Sequence, residues 1–268
     1  MLKSKDKWPI SVCTWSLHAE TDELPNLLKE LGSPMAHLAI SDLISTPEIA
    51  RKLSDQIDIS ATMIGFPQED YTTLETIKAT GGILPDNCWQ VNLNHIKAGI
   101  ELTARLNVPY MTFHAGFIDE SNPEVFEKMT KRIITIADIA ESNGVTVLME
   151  TGQETAADLS AFMQQLDQKA LGINFDPANM ILYNKGNPID ALQTLAPWIR
   201  HIHIKDALKS DTLGEWGTEV TWGSGEVNAG LFLDTLASIN YEGVLAIERE
   251  AGASRMDDIK RAISILTK

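Results

Sequence analysis

Residues Val145–Asp176 read VTVLMETGQETAADLSAFMQQLDQKALGINFD, one complete strand–helix–strand unit. Val145–Glu150 and Leu171–Asp176 are short, nearly continuous apolar runs, the pattern of parallel strands covered on both faces. Between them, Ala156–Asp167 spaces Leu159, Phe162, Met163 and Leu166 with helical period. Asn143-Gly144 reads as a turn before the first run, and Gly172 as a turn signal within the second. Two parallel strands joined by a helix make a right-handed crossover. Each of these strands ends on a carboxylate, Glu150 and Asp176.

The same rhythm extends to both ends of the chain. Further apolar runs lie at Ile10–Trp15, Ala36–Ser41, Ile57–Ile64, Tyr110–Ala115, Ile199–Lys205 and Val244–Glu248, which makes eight. Amphipathic segments at Asn92–Leu106, Pro123–Ser142, Ala229–Ile239 and Ser254–Thr267 alternate with them. Eight β/α units close a barrel, typically with about 250 residues. An open doubly wound sheet usually carries a glycine-rich first turn. Here Ser16-Leu17-His18-Ala19-Glu20 follows the first run, and neither GxGxxG nor GxxxxGK[ST] occurs. No linker or low-complexity tract divides the sequence. The expectation is a single (β/α)8 TIM barrel over residues 1–268, with its active site at the C-terminal ends of the strands. The connections Gly65–Trp89 and Ala207–Asn228 are longer than a helix requires and leave that same face, so they are expected to form lids or pocket walls.

Composition narrows the function. The 268 residues include 22 Lys+Arg against 37 Asp+Glu, a net charge of −15, which counts against a nucleic-acid partner. The two cysteines, Cys13 and Cys88, lack CxxC spacing and are expected to be reduced thiols in a cytoplasmic protein. The N-terminal MLKSKDKWPISVCTW has no long apolar region, and no run approaches the roughly 20 apolar residues of a membrane span, so no membrane partner is expected.

Four consecutive strands finish in groups that bind divalent cations: Glu150, Asp176, His203 and Glu248. Alternation puts Leu148 with Glu150, Asn174 with Asp176, and Ala246 with Glu248, so these side chains converge on the barrel mouth. Three crowded carboxylates repel unless a cation neutralises them or some take up protons. Oxygen-rich coordination with one imidazole suits manganese best, with magnesium, cobalt or zinc also admissible. His201 shares a face with His203 but lies deeper, as a core or supporting histidine. His114 at the end of the fourth run reaches the mouth, where it binds substrate, orients a ligand or packs. Lys205 is a candidate for a substrate oxygen or phosphate, or a solvated rim lysine. Trp15 and Trp216 are candidate pocket walls for a sugar ring. His18, His37 and His95 stand alone in sequence and are expected to be structural or exposed.

At Thr112-Phe113-His114-Ala115-Gly116, Met149-Glu150-Thr151, Asn174-Phe175-Asp176-Pro177-Ala178-Asn179, His201–Asp206, Trp222–Val227 and Ala246-Ile247-Glu248 the chain resembles the xylose isomerase-like TIM-barrel superfamily, in its sugar phosphate isomerase/epimerase branch. The resemblance covers nearly the whole chain. It implies one divalent ion held by Glu150, Asp176, His203 and Glu248, with the two glutamates as acid and base on opposite faces of a sugar. The ketose 3-epimerases of that superfamily carry histidine where this chain has Asn179, a candidate substrate contact, and an acidic residue and then arginine after the metal-binding histidine, where Lys205-Asp206 stands here. A three-zinc endonuclease branch needs further histidines, yet His203 is the last in this chain.

The expected chemistry is removal of a carbon-bound proton beside a carbonyl polarised by the ion, giving an enediolate. Return of the proton epimerises or isomerises a sugar or sugar phosphate; loss of a β-leaving group instead would make a lyase of a keto-polyol or keto-glycoside. A non-catalytic sugar-binding barrel is the reading from a different class. A homodimer is the expected assembly.

Overall fold

The computed structural model describes residues 1–212 and 214–268. Its strands in chain order are β1 (Ile10–Cys13), β2 (Met35–Ala39), β3 (Asp58–Met63), β4 (Tyr110–Phe113), β5 (Thr146–Glu150), β6 (Leu171–Phe175), β7 (Ile199–Ile204), β8 (Asp206–Leu208), β9 (Thr218–Val220) and β10 (Val244–Ile247). β1 to β7 and β10 form a closed parallel barrel, sealed where β1 pairs with β10, Ile10 opposite Leu245. This is the (β/α)8 TIM barrel that the alternating pattern predicts. Among the described residues, no helix is long and apolar enough to cross a membrane.

The expected runs overshoot the strands at their C-terminal ends. Trp15 lies in a 3-10 turn (Thr14–Ser16), and Asp176, Lys205 and Glu248 each stand just past the last paired residue. The chain leaves the sheet there, which frees those side chains to turn toward the axis. Gly172 is no turn: it lies within β6, where a Cβ would come within 2.8 Å of Leu148 Cδ2 on β5.

Both long connections hold more structure than expected. Gly65–Trp89 contains α3 (Leu74–Thr80), started by a Thr73/Thr76 capping box, and the first residues of α4 (Asp86–Arg105). Gly82 lies so close to the Ala115 backbone that a Cβ would be 2.2 Å from its carbonyl carbon. In Ala207–Asn228, β9 pairs antiparallel with β8. The Asp206 carboxylate accepts the N–H groups of Ala207, Gly223, Gly225 and Val227, which gathers this connection around one buried anion. Glu219 on β9 accepts from the Arg249 guanidinium at 2.6 Å and from the N–H groups of Glu250 and Ala251, tying the hairpin to the connection after β10.

Apolar packing lies outside the strands, between sheet and helices. Phe175 of β6, for example, stacks on Phe232 of α9 (Ala229–Ser238) at 6.2 Å. Inside the barrel lie buried polar side chains, among them His37, Asn174, His201 and His203.

Candidate active site

β5, β6, β7 and β10 lie side by side around one arc of the wall. They deliver Glu150, Asp176, His203 and Glu248, all buried, with one ligand atom from each lying within 4.8 Å of the others. His203 Nδ1 is the common neighbour, 3.0 Å from Glu248 Oε2, 3.2 Å from Glu150 Oε1 and 3.6 Å from Asp176 Oδ2.

Each carboxylate is tethered by one oxygen and open at the other. Asp176 caps α7 (Pro177–Leu182), its Oδ1 accepting from the N–H groups of Ala178 and Asn179 at 2.8 and 3.0 Å. Glu150 Oε1 accepts from Asn179 Nδ2 at 3.1 Å, and Glu248 Oε1 from Trp15 Nε1 at 2.6 Å. Asn179 can approach because Gly152, with φ +139°, would otherwise place a Cβ 2.5 Å from the asparagine Cβ. Glu150 Oε2, Asp176 Oδ2, Glu248 Oε2 and His203 Nδ1 are buried and make no hydrogen bond; their charged neighbours are one another, Lys205 and His114. Orphaned buried polar atoms are rare because each costs about 1–3 kcal/mol. Four converging on one space make a donor set suited to a hard or borderline divalent cation.

His203 is fixed from behind by a residue that sequence reasoning missed. His37 on β2, expected to be structural or exposed on its own, is fully buried, with Nδ1 3.0 Å from His203 Nε2 and Nε2 3.0 Å from Thr112 Oγ1. Burial and the neighbouring His201 and His203 hold the His37 pKa well below its ordinary value, so the ring is neutral. His203 Nε2 also lies 3.1 Å from Asn174 Nδ2, so His37 and Asn174 together fix the ring with Nδ1 toward the carboxylates. The one available signal was a histidine inside the apolar run of β2. His201 lies deeper, as expected, bonded to Asn174 Oδ1 at 2.9 Å and Ser60 Oγ at 3.1 Å. His18 is exposed and His95 half-buried, both outside this cluster.

Above the cluster a cavity of about 660 Å³ is lined by Trp15, His114, Lys205, Tyr71, Tyr183 and Trp216, among others. His114 Nε2 lies 3.7 Å from Glu150 Oε2; burial opposes its charge, but Glu150, Glu69 and Glu250 raise its pKa. Lys205 is no solvated rim residue. Its Nζ lies 2.5 Å from Glu250 Oε2, 3.2 Å from Glu248 Oε2 and 3.8 Å from Asp176 Oδ2. Burial disfavours its charge, yet these carboxylates hold its pKa well above the usual value. The His203 pKa is likewise raised against the cost of burial, by Glu248 and Glu150. Burial pushes the Cys13 thiol up to about 12, so it stays protonated.

A family profile described as "Xylose isomerase-like TIM barrel" matches residues 45–268. The chain belongs to this family. A xylose isomerase domain protein from Planctomyces limnophilus is similar over 97% of this chain and 96% of its own, at 32% identity and a TM-score of 0.89. A xylose isomerase-like TIM-barrel protein from Mycobacterium smegmatis, solved in complex with magnesium, shares the fold at 17% identity and a TM-score of 0.73, covering 99% of both chains. The inosose dehydratase of Clostridium botulinum (strain Alaska E43 / Type E3) is 25% identical over 158 residues, 53% of this chain and 53% of its own. The chain thus spans about half the length of that curated relative. Other xylose isomerase-like barrels similar to this one carry the names of 3-epimerases and of dehydratases.

Proposed function

We propose that this protein is a divalent-metal-dependent isomerase or epimerase of a sugar or closely related polyhydroxy ketone, with Glu150, Asp176, His203 and Glu248 as metal ligands. The observation that carries this reading is the set of four converging buried ligand atoms, none of them in a hydrogen bond, beneath a cavity of sugar-binding size. The M. smegmatis protein of the same fold, solved in complex with magnesium, supports a divalent-ion reading. A bound divalent ion, manganese or magnesium by this donor set, supplies Lewis acidity to a carbonyl and the hydroxyl beside it.

The chain's own groups supply the proton transfers. Glu150 and Glu248 stand on strands separated by β6 and β7, so they flank a substrate lying across the cluster. One takes the proton from the carbon beside the carbonyl and the other returns a proton to the opposite face, which inverts that carbon. Asn179 and Trp15 each hold one oxygen of these glutamates and so fix which oxygen faces the substrate. His114 and Lys205 offer donors to substrate oxygens from the cavity wall.

The second reading keeps the same proton abstraction and ends in loss of a β-hydroxyl as water; the inosose dehydratase similarity favours it. Proton NMR in D2O separates the two. Chelator-treated protein reloaded with magnesium is mixed with ketoses and 3-keto-glycosides. Deuterium entering the carbon next to the carbonyl, with a new sugar, is the expected result; an unsaturated product assigns the dehydratase. Binding without either change would make the barrel a non-catalytic sugar receptor and overturn both.

A further inference from the structure

The wall of the cavity is short of cations. Among the described residues it presents Glu69, Glu219 and Glu250 beyond the two proposed acid/base glutamates, while Lys205 is its single Lys or Arg. That ammonium is already held by Glu248 and Glu250.

Backbone donors are committed as well. TIM barrels that bind phosphate commonly do so with N–H groups from the loops after the seventh and eighth barrel strands. Here the N–H groups of Gly223, Gly225 and Val227, after β7, point at the Asp206 carboxylate. Those of Glu250 and Ala251, after β10, point at Glu219, which also takes the Arg249 guanidinium. Carboxylates of the chain itself, Asp206 and Glu219, thus take up the backbone donors of both connections.

The space also exceeds one sugar ring. At protein packing density a hexose occupies roughly 200 Å³, against about 660 Å³ here. Tyr71, Tyr183 and Trp216, from the connections after β3, β6 and β7, add aromatic surface, with Tyr183 and Trp216 edge to face at 4.7 Å.

We infer that the site takes an uncharged polyhydroxy ketone extended by a second ring or an apolar aglycone, and discriminates against phosphate esters and carboxylates. The inference rests on the carbohydrate reading of this same site and narrows its substrate class.

Calorimetric titration of the magnesium-loaded protein tests it with matched ligands: 3-ketoglucose, its phenyl glycoside, fructose and fructose 6-phosphate. The phenyl glycoside is expected to bind about tenfold more tightly than 3-ketoglucose, and the phosphate about tenfold more weakly than fructose, at low ionic strength. Trp216→Leu is expected to weaken the glycoside more than the free sugar. A phosphate that binds as well as fructose, a glycoside with no advantage, equal losses in Trp216→Leu, or no binding by any neutral ligand each overturns the inference. Deuterium exchange on the same ligands keeps the two readings apart. Exchange with the phosphate at full rate sinks the substrate class and leaves the catalytic reading intact. Tight neutral binding without exchange or elimination does the reverse.

Discussion

Two polar layers sit one above the other on the barrel axis, and they differ in whether their hydrogen bonds close. The lower layer comprises Ser11, His37, Ser60, Thr112, Asn174 and His201, contributed by six strands. It is closed: His201 bonds Asn174 and Ser60, Ser60 reaches Ser11, His37 bonds Thr112, and none of these side chains holds an orphaned atom. The upper layer of Glu150, Asp176, His203 and Glu248 is equally buried but leaves one atom open on every member. A buried polar network that completes itself specifies packing, whereas one that stays incomplete at a single point is shaped for something the chain does not supply.

The largest effect expected from disturbing this contrast is on catalysis. Glu150→Gln and Glu248→Gln each keep the size and one tether of the side chain but remove the base, and should lower kcat by about 10²–10⁴-fold. Circular dichroism should show unchanged folding; a variant retaining full rate would remove its glutamate from the proposed acid/base pair.

Metal binding comes next. An ion held at the upper layer binds only folded protein, so about a hundredfold excess over Kd should stabilise it by about 2.7 kcal/mol and raise Tm by roughly 5–10 °C. Asp176→Ala should abolish that gain in a thermal melt with and without magnesium or manganese. A gain of equal size in the variant would place the ion elsewhere.

The lower layer should respond in the opposite manner. His201→Phe leaves Asn174 Oδ1 without its side-chain partner and removes one partner of Ser60, and should cost about 1–3 kcal/mol of stability in denaturant titration. The increment in Tm on adding metal should persist, because His201 is not one of the four candidate ligands.

The smallest effect concerns Glu154, whose buried Oε2 is also orphaned but stands apart from the cluster. Burial pushes its pKa up to about 8 from an ordinary 4.5, with Lys185 offsetting only part of the penalty. Between those values the folded protein binds the proton that the unfolded chain releases, so stability falls as pH rises through this window. Glu154→Gln should therefore stabilise by on the order of 1–2 kcal/mol above about pH 8 and by little near pH 5. Equal effects at both pH values would show that the carboxyl finds a partner in solution.

The lower layer was the harder one to read. His37, Ser60 and Thr112 come from strands 2, 3 and 4, and no local pattern links them to His203 or to His201. Lys205 read equally well as a free rim group, since its partners Glu248 and Glu250 arrive more than forty residues later. Helix α7 escaped notice because its six residues are too few to show a period, and its start is set by the Asp176 cap. Asn179 read as a substrate contact, and it does line the cavity; its bond to Glu150 was not legible, because only the turn of α7 brings that partner near.

The sequence by itself determined the barrel, because eight apolar runs alternating with amphipathic segments leave few other ways to bury both faces of a parallel sheet. It also determined the candidate cluster, because equivalent heights on neighbouring strands bring strand-end residues together wherever the barrel closes. The tertiary structure alone decided which oxygen of each carboxylate is tied, and that Asp206 and Glu219 take up the backbone donors of the connections after β7 and β10. Those outcomes depend on contacts between side chains far apart in the chain, whose geometry exists only once the strands are in register.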